Sequence, residues 1–276
     1  MENPFIANTR IRKICNSAVT DMDDQLAIEE PLELQMSWGN ADNRVHKSIS
    51  VTMRTPGHDR ELAAGFLFTE GIIKNIYDIK FIKQEAPDTN KVLVALQDHV
   101  GPNLQKTEKN FYTSSSCGVC GKSSIAAIKT VSIYHDVPDT ICLRAGMLYS
   151  IQAIVRARQA IFDSTGGLHA SALFDLQGNF ITLREDVGRH NALDKLIGAA
   201  LLDQQLPLAN TILLLSGRAG FELIQKALMA GIKIIAAVGA PSSLAVELAK
   251  ESNITLIGFL RDERFNIYSG EQRIIM

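Results

Sequence analysis

The chain has 276 residues, with 28 Lys and Arg against 30 Asp and Glu and a formal net charge of −2. That balance argues against nonspecific binding to nucleic acid or to an acidic membrane, and the length suits one large domain or two modest ones. Four cysteines, at positions 15, 117, 120 and 142, are too few for a disulfide scaffold, and neither the N-terminus nor any apolar run such as Ile232–Gly239 reads as a secretory signal or a membrane span, so the expected location is the reducing cytoplasm.

In chain order, residues 1–110 read as a strand-rich smaller domain. Ser48–Arg54 alternates with period two, as a half-buried strand does, and Lys91–Gln97 reads likewise. Between them Pro56-Gly57 marks a turn, and a helix begins at Asp59, with Leu62, Ala63, Phe66 and Leu67 at helical spacing. Residues 98–122 show no periodicity and end in the run Ser114-Ser115-Ser116-Cys117-Gly118-Val119-Cys120-Gly121-Lys122. Residues 111–145 are accordingly read as a loop and connector, with a helix expected from Gly121 to Thr130.

The remainder, 146–276, reads as an α/β domain. One long amphipathic helix is expected from Gly146, its face traced by Met147, Ile151, Ile154, Val155, Arg158, Ile161 and Phe162, and broken at Gly166-Gly167. His169–Phe174 and Asn179–Leu183 flank a turn and form a hairpin. Helices at Asn191–Leu202, Gly220–Ala230 and Ser242–Ser252 alternate with strands at Thr211–Leu215, Lys233–Val238 and Ile254–Phe259. Such alternation predicts a three-layer α/β domain with a largely parallel sheet.

Cys117-Gly118-Val119-Cys120 places two sulfurs within reach of each other. Structural zinc needs about four ligands, and the other candidates, Cys15, Cys142, His135 and His169, are scattered. A thioredoxin-like redox pair follows a strand and opens a helix, whereas this pair follows a long loop. Two incidental thiols are a further reading. The fourth is a sulfur carrier, in which one thiolate holds a persulfide; Lys122 and helix amides favour that thiolate, and Gly118 and Gly121 leave room for a bulky donor.

Three other clusters carry candidate chemistry. Arg184–Asn191 lies between a strand and a helix, and serves either as an anion site at the helix start or as a polar turn capped by Asp186 or Asn191. Ser216-Gly217-Arg218-Ala219-Gly220 stands in the same position after the next strand, where open α/β sheets bind ligands, which favours a phosphate-bearing ligand. Phe259-Leu260-Arg261-Asp262-Glu263-Arg264 follows the last buried strand. There Arg261 and Arg264 suit a phosphate or a purine edge, Phe259 offers an aromatic face, and Asp262 or Glu263 suits a guanine amino group; the plain alternative is a charged surface turn. No Walker loop and no dinucleotide fingerprint occurs. A zinc deaminase site is also missing, since Ser171 stands where H-x-E would place its glutamate after His169.

Together S-S-C-G-V-C-G-K (115–122), T-G-G-x-H-A (165–170), R-E-D-V-G-R-H-N-A-L-D-K (184–195), S-G-R-A-G-F-E (216–222), A-P-S-S-L-A-V-E-L-A (240–249), G-F-L-R (258–261) and E-G-I (70–72) make the chain resemble the FdhD/NarQ family over most of its length. The resemblance implies an accessory sulfurtransferase of formate dehydrogenase. Such a protein takes persulfide sulfur from a cysteine desulfurase and passes it to a molybdenum (or tungsten) bis(guanine dinucleotide) cofactor, which is a bound substrate and not a permanent group. It also implies Cys117 as the persulfide carrier, Cys120 as helper or resolving thiol, Phe259–Arg264 as the cofactor-binding segment, and a cytidine-deaminase-like fold for the larger domain. A homodimer bridged by the two-lobed cofactor is compatible with this picture. The other readings to be weighed against it are a noncatalytic cofactor-binding chaperone and a zinc-stabilised structural protein.

Overall fold

The computed structural model describes residues 5–84, 90–104, 132, 134 and 140–276. Strands β1 (Ile6–Cys15) and β2 (Ala18–Ala27) form an antiparallel hairpin that pairs with no other described strand. Its turn residues Asn16 and Ser17 both have positive φ, the conformation whose twist matches a two-residue hairpin.

A second sheet takes β3 (Glu30–Trp38), β4 (Val45–Arg54), β5 (Ile79–Gln84) and β6 (Lys91–Leu96) in the order β4-β3-β6-β5, with helix α1 (Asp59–Thr69) between β4 and β5 in sequence. Leu32, Leu34 and Met36 of β3 and Val92, Val94 and Leu96 of β6 alternate onto one face, and there they share a core with Leu62, Ala63, Leu67 and Phe68 of α1.

The largest sheet has six strands in the order β13-β12-β11-β10-β8-β9. These are β8 (His169–Asp175), β9 (Phe180–Asp186), β10 (Thr211–Leu215), β11 (Ile234–Ala237), β12 (Thr255–Arg261) and β13 (Arg264–Ser269). Helices α4 (Arg189–Leu202), α5 (Phe221–Met229) and α6 (Ser243–Glu251) cover one face through Leu173, Leu213, Leu215, Ile235, Ala237 and Leu256. Helix α2 (Ala145–Arg156) covers the other through Ala172, Phe174, Ile212, Leu214, Ile234 and Ala236. Short strands β7 (Leu143–Arg144) and β14 (Ile274–Ile275) pair beside α2.

Two expectations need correction. The sheet is not largely parallel: only β10/β11 and β11/β12 are parallel, while β8/β9, β8/β10 and β12/β13 are antiparallel. The tight turns after β8 and β12 cannot make a parallel crossover, which needs about a dozen residues or more. The long helix expected from Gly146 is two helices, α2 and α3 (Ala160–Thr165), separated at 157–159. The break lets α3 leave the sheet face and pack on β2, while Arg158, assigned to the apolar face, stacks 4.5 Å over the Phe180 ring. Gly166 ends α3 in the left-handed conformation, as the Gly-Gly pair suggested.

The two halves share one core, because α1 lies directly against α4. The crossing is possible only because Gly65 and Gly198 face each other's helices: a β-carbon on Gly65 would overlap the Asp194 carbonyl, and one on Gly198 the Glu61 carbonyl. Among the described residues no helix is long and apolar enough to cross a membrane.

Candidate functional site

Much of the 184–195 motif turns out to clamp the halves together. Arg184 donates to both carboxylate oxygens of Glu61, at 2.6 and 2.9 Å. Asp186 and Lys195 form a buried ion pair at 2.7 Å; Asp186 also accepts from the Thr55 amide, and Lys195 donates to the Thr55 carbonyl. Asn191 donates to the Met53 carbonyl and to Asp186. Asp194 accepts from Thr69 and Lys226, and Lys226 also reaches Glu70. Burial alone would lower the Lys226 pKa, but the carboxylates of Asp194 and Glu70 outweigh it and hold the ammonium charged, above its ordinary value. The ion pairs and hydrogen bonds of the polar-turn reading therefore fit Arg184, Asp186 and Asn191, but neither Asp186 nor Asn191 caps α4, whose N-cap is Gly188 with no side-chain cap.

Glu61 shows the same clamp in its titration. Burial pushes its carboxyl up, yet hydrogen bonds from His58 and Arg184 outweigh that and bring it from 4.5 to about 2. A depressed carboxyl stabilises the fold above its unfolded pKa and loses that contribution as pH falls toward its folded pKa. The stability gap between the unaltered protein and Glu61→Gln should therefore narrow as pH drops from 4.5 to about 2. Thermal melts at stepped pH check this; a constant gap would contradict it.

Arg189 and His190 differ from their neighbours: they open α4 at the edge of the six-stranded sheet where β9, β10, β11 and β12 end and β8 begins. At that edge the turns continue the ladder beyond the strands. Ser216 Oγ accepts from the Ala170 amide at 2.8 Å, the Gly239 amide donates to the Gly217 carbonyl at 2.9 Å, and the Phe259 amide to the Gly239 carbonyl at 3.1 Å. A β-carbon on Gly239 would sit 3.0 Å from the Arg218 backbone, so only glycine admits so close an approach without a shift.

His169 lies under this edge, opposite Asp186 across β8/β9, with Gly217 against its ring. Desolvation lowers the His169 pKa, and the nearby Arg189, His190 and Arg218 lower it further against an opposing pull from Asp186. His190 Nε2 is 2.7 Å from Glu222 Oε2 on α5. Below the edge on the α2 side is a cavity of about 290 Å³, whose lining includes Gln152, Arg156, Gln159, Phe162, His169 and Ser216.

The third cluster reaches the same edge. Phe259 is 41% exposed and has a φ of +53° at a bulge in β12, a conformation a bulky residue adopts only under constraint, and one that re-aims a strand side chain. Leu260 is fully buried in the core with α2, so it anchors the segment from beneath. Arg261 and Arg264 pair across the turn, and Arg261, Asp262, Glu263 and Arg264 are all exposed. The structure thus brings Arg189, Arg218, His169 and Phe259 to one edge. Cys117, Cys120, Lys122, His135 and the helix expected at 121–130 lie outside the described residues. Cys15, at the tip of β1, and Cys142 are free thiols, both exposed. Reading the sequence missed Glu222 as the partner of His190, although S-G-R-A-G-F-E contains it.

A family model described as the FdhD/NarQ family matches residues 27–275. A sulfur carrier protein FdhD of Mycolicibacterium paratuberculosis is 50% identical over 91% of this chain and 92% of its own length. A protein of the same description from Streptomyces avermitilis is 45% identical over 97% of this chain and 95% of its own, and one from Saccharolobus solfataricus 40% over 91% of each. Among solved structures, a candidate formate dehydrogenase accessory protein from Desulfotalea psychrophila is similar, with a TM-score of 0.75 and 25% identity over 99% of this chain and 100% of that one.

Proposed function

Since the chain belongs to the FdhD/NarQ family, we propose that it is a sulfurtransferase of the sulfur-carrier type serving formate dehydrogenase. The observation that carries this reading is the near-full-length match to proteins described as sulfur carriers, in a chain that keeps a C-x-x-C. In the proposed cycle the Cys117 thiolate attacks the outer sulfur of a cysteine desulfurase persulfide. One S–S bond forms to Cys117, the donor's S–S bond breaks, and the donor leaves as a thiolate. The carried sulfur then goes to the molybdenum bis(guanine dinucleotide) cofactor before the cofactor enters formate dehydrogenase. To leave as sulfide it needs two electrons; attack of Cys120 on Cys117 sulfur supplies them and leaves a disulfide, the resolving role assigned to Cys120.

The cofactor is bulky cargo, and the reading places its guanine at Phe259–Arg264. Support comes from the constrained, outward Phe259, from the exposed Arg261 and Arg264, and from carboxylates at 262 and 263 suited to a guanine amino group. We also read the six-stranded sheet with helices on both faces as a cytidine-deaminase-like unit, within a division into 1–110, 111–145 and 146–276. Cytoplasmic location fits a carrier whose thiols must stay reduced.

Incubation with a cysteine desulfurase and cysteine, followed by mass mapping of tryptic peptides, tests the cycle. One added sulfur atom is expected on Cys117 and none in Cys117→Ala; an unmodified Cys117 under conditions that load the desulfurase would sink the reading.

A further inference from the structure

The proposed cycle does not return the carrier to its starting state. A persulfide holds its outer sulfur at the zero-valent level, so that atom leaves as sulfide only after gaining two electrons. In the cycle the electrons come from the bond that closes between Cys117 and Cys120. The persulfide S–S bond breaks, sulfide passes to the cofactor, and two cysteine sulfurs have become one disulfide. Charging needs the Cys117 thiolate, so a carrier in the disulfide state cannot accept sulfur again.

Among the described residues no second thiol pair is placed to repair that disulfide. Cys117 and Cys120 lie outside the described residues; the other two cysteines of the chain lie within them, exposed and free. Cys15 ends β1 at the tip of a hairpin that pairs with no other described strand, and its cross-strand partner is Ala18. Cys142 precedes β7 and borders a pocket lined by Thr140, Ile141, Asn253, Gln272 and Arg273. A thiol pair that gives up two electrons ends as a disulfide, which needs α-carbons about 4.4–6.8 Å apart. Cys15 and Cys142 stand on separate elements with different neighbours, and no disulfide joins them. Either alone reaches at most a mixed disulfide and leaves the reduction unfinished.

We infer that each sulfur delivery is followed by thiol–disulfide exchange with an external dithiol protein, so that the Cys117–Cys120 pair consumes dithiol reductant as well as carrying sulfur. This rests on the proposed carrier function and adds a partner to the same site. One thiolate of the reductant attacks a sulfur of the pair, the Cys117–Cys120 bond breaks, and a mixed disulfide forms. The second thiolate of the reductant attacks its own neighbour in that mixed disulfide. The reductant leaves as a disulfide, and its two protons end on Cys117 and Cys120. A dithiol suits the task better than a monothiol, because its second step is intramolecular. Gly118 and Gly121, without side chains, leave an incoming protein thiol room to approach. Sulfur supply to formate dehydrogenase is thereby gated by the dithiol pool: an oxidised carrier delivers one sulfur and stops.

The test uses the full chain without air. A cysteine desulfurase charged with cysteine, and then freed of it, loads the chain and is removed; an oxomolybdenum bis(dithiolene) complex serves as sulfide acceptor. After delivery, free thiols are alkylated and the tryptic peptide 110–122, which holds both cysteines, is weighed. One disulfide per sulfide delivered is expected, with both thiols intact in chain that was never loaded. A second round of loading should fall at least about tenfold and be restored by reduced thioredoxin, with glutathione at equal thiol concentration much slower. Cys120→Ala should load and keep its sulfur. The Cys15→Ser, Cys142→Ser double variant should behave as the unaltered chain. Delivery that leaves both thiols alkylated means that the metal supplied the electrons, and overturns the inference. So do a persulfide that stays in place, a full second round without reductant, and equal recovery with glutathione. Absence of sulfur on Cys117 at the loading step removes the carrier reading itself, whereas successful loading followed by delivery with both thiols intact removes only the disulfide and its reductant.

Discussion

Gly198→Ala should destabilise the protein by at least about 3 kcal/mol, read as a lower denaturant midpoint with an unchanged slope. The methyl would overlap the Glu61 carbonyl, which is main chain in the first turn of α1, with no rotamer to change. Relief requires α1 and α4 to move apart toward the usual ~8–10 Å, which loosens everything pinned across the seam. The Thr69–Asp194 bond and the Arg184–Glu61 pair both span it. Gly65→Ala meets the Asp194 carbonyl and should cost a similar amount. The double variant should cost less than the sum, because one separation serves both methyls. Gly146→Ala is the control: nothing lies within 4 Å of its added carbon in α2, and alanine there is expected to be neutral or stabilising by about 0.5–1 kcal/mol. Equal effects at positions 146 and 198 would refute the crossing as the cause.

Lys226→Met should cost about 3–5 kcal/mol, since it leaves the Asp194 carboxylate buried without its cation. Asp194 is 2% exposed and would keep only the 2.7 Å bond from Thr69. The measurement is a cycle with Asp194→Leu. The double variant is expected to recover most of the loss, because an apolar pair of similar volume does not pay the desolvation of two charges. Recovery of less than about 1 kcal/mol would mean that Glu70 or Thr69, not the missing partner, sets the cost.

Element type was legible wherever apolar runs met turn residues. Thr211–Leu215 is the strand expected, and α5 and α6 differ from the expected helices by a residue at each end. Strand direction was not legible, because a run such as T-I-L-L-L looks the same whichever way its neighbour points. The hairpin β1/β2 gave no alternation because most of its residues are exposed on both faces; Asn16-Ser17 was the one local signal. The 184–195 motif mixed two roles because helical position, not residue type, separates them. Arg189 and His190 lie at the open start of α4, whereas Asn191, Asp194 and Lys195 recur at a spacing of 3 and 1 and fall on the face that the N-terminal layer covers. A polar stripe at helical spacing ordinarily marks a solvent face, so residue type and spacing alone do not mark this one as buried. The edge where Arg189, Arg218 and Phe259 meet was legible only as a recurrence of turns after strands. The thiols at 117 and 120 were legible as a motif, and they lie outside the described residues.

Helix α4 is buried along its whole middle, from Asn191 to Leu201, with the six-stranded sheet on one side and α1 with its own sheet on the other. It has no side left over for water. The chain is therefore not modular: a fragment ending near residue 104, or one starting near 140, would present a wide oily wall studded with orphaned charges. Chimeras between relatives would have to exchange α1 and α4 as a matched set, and a recombination point between the two halves would break the molecule at its centre.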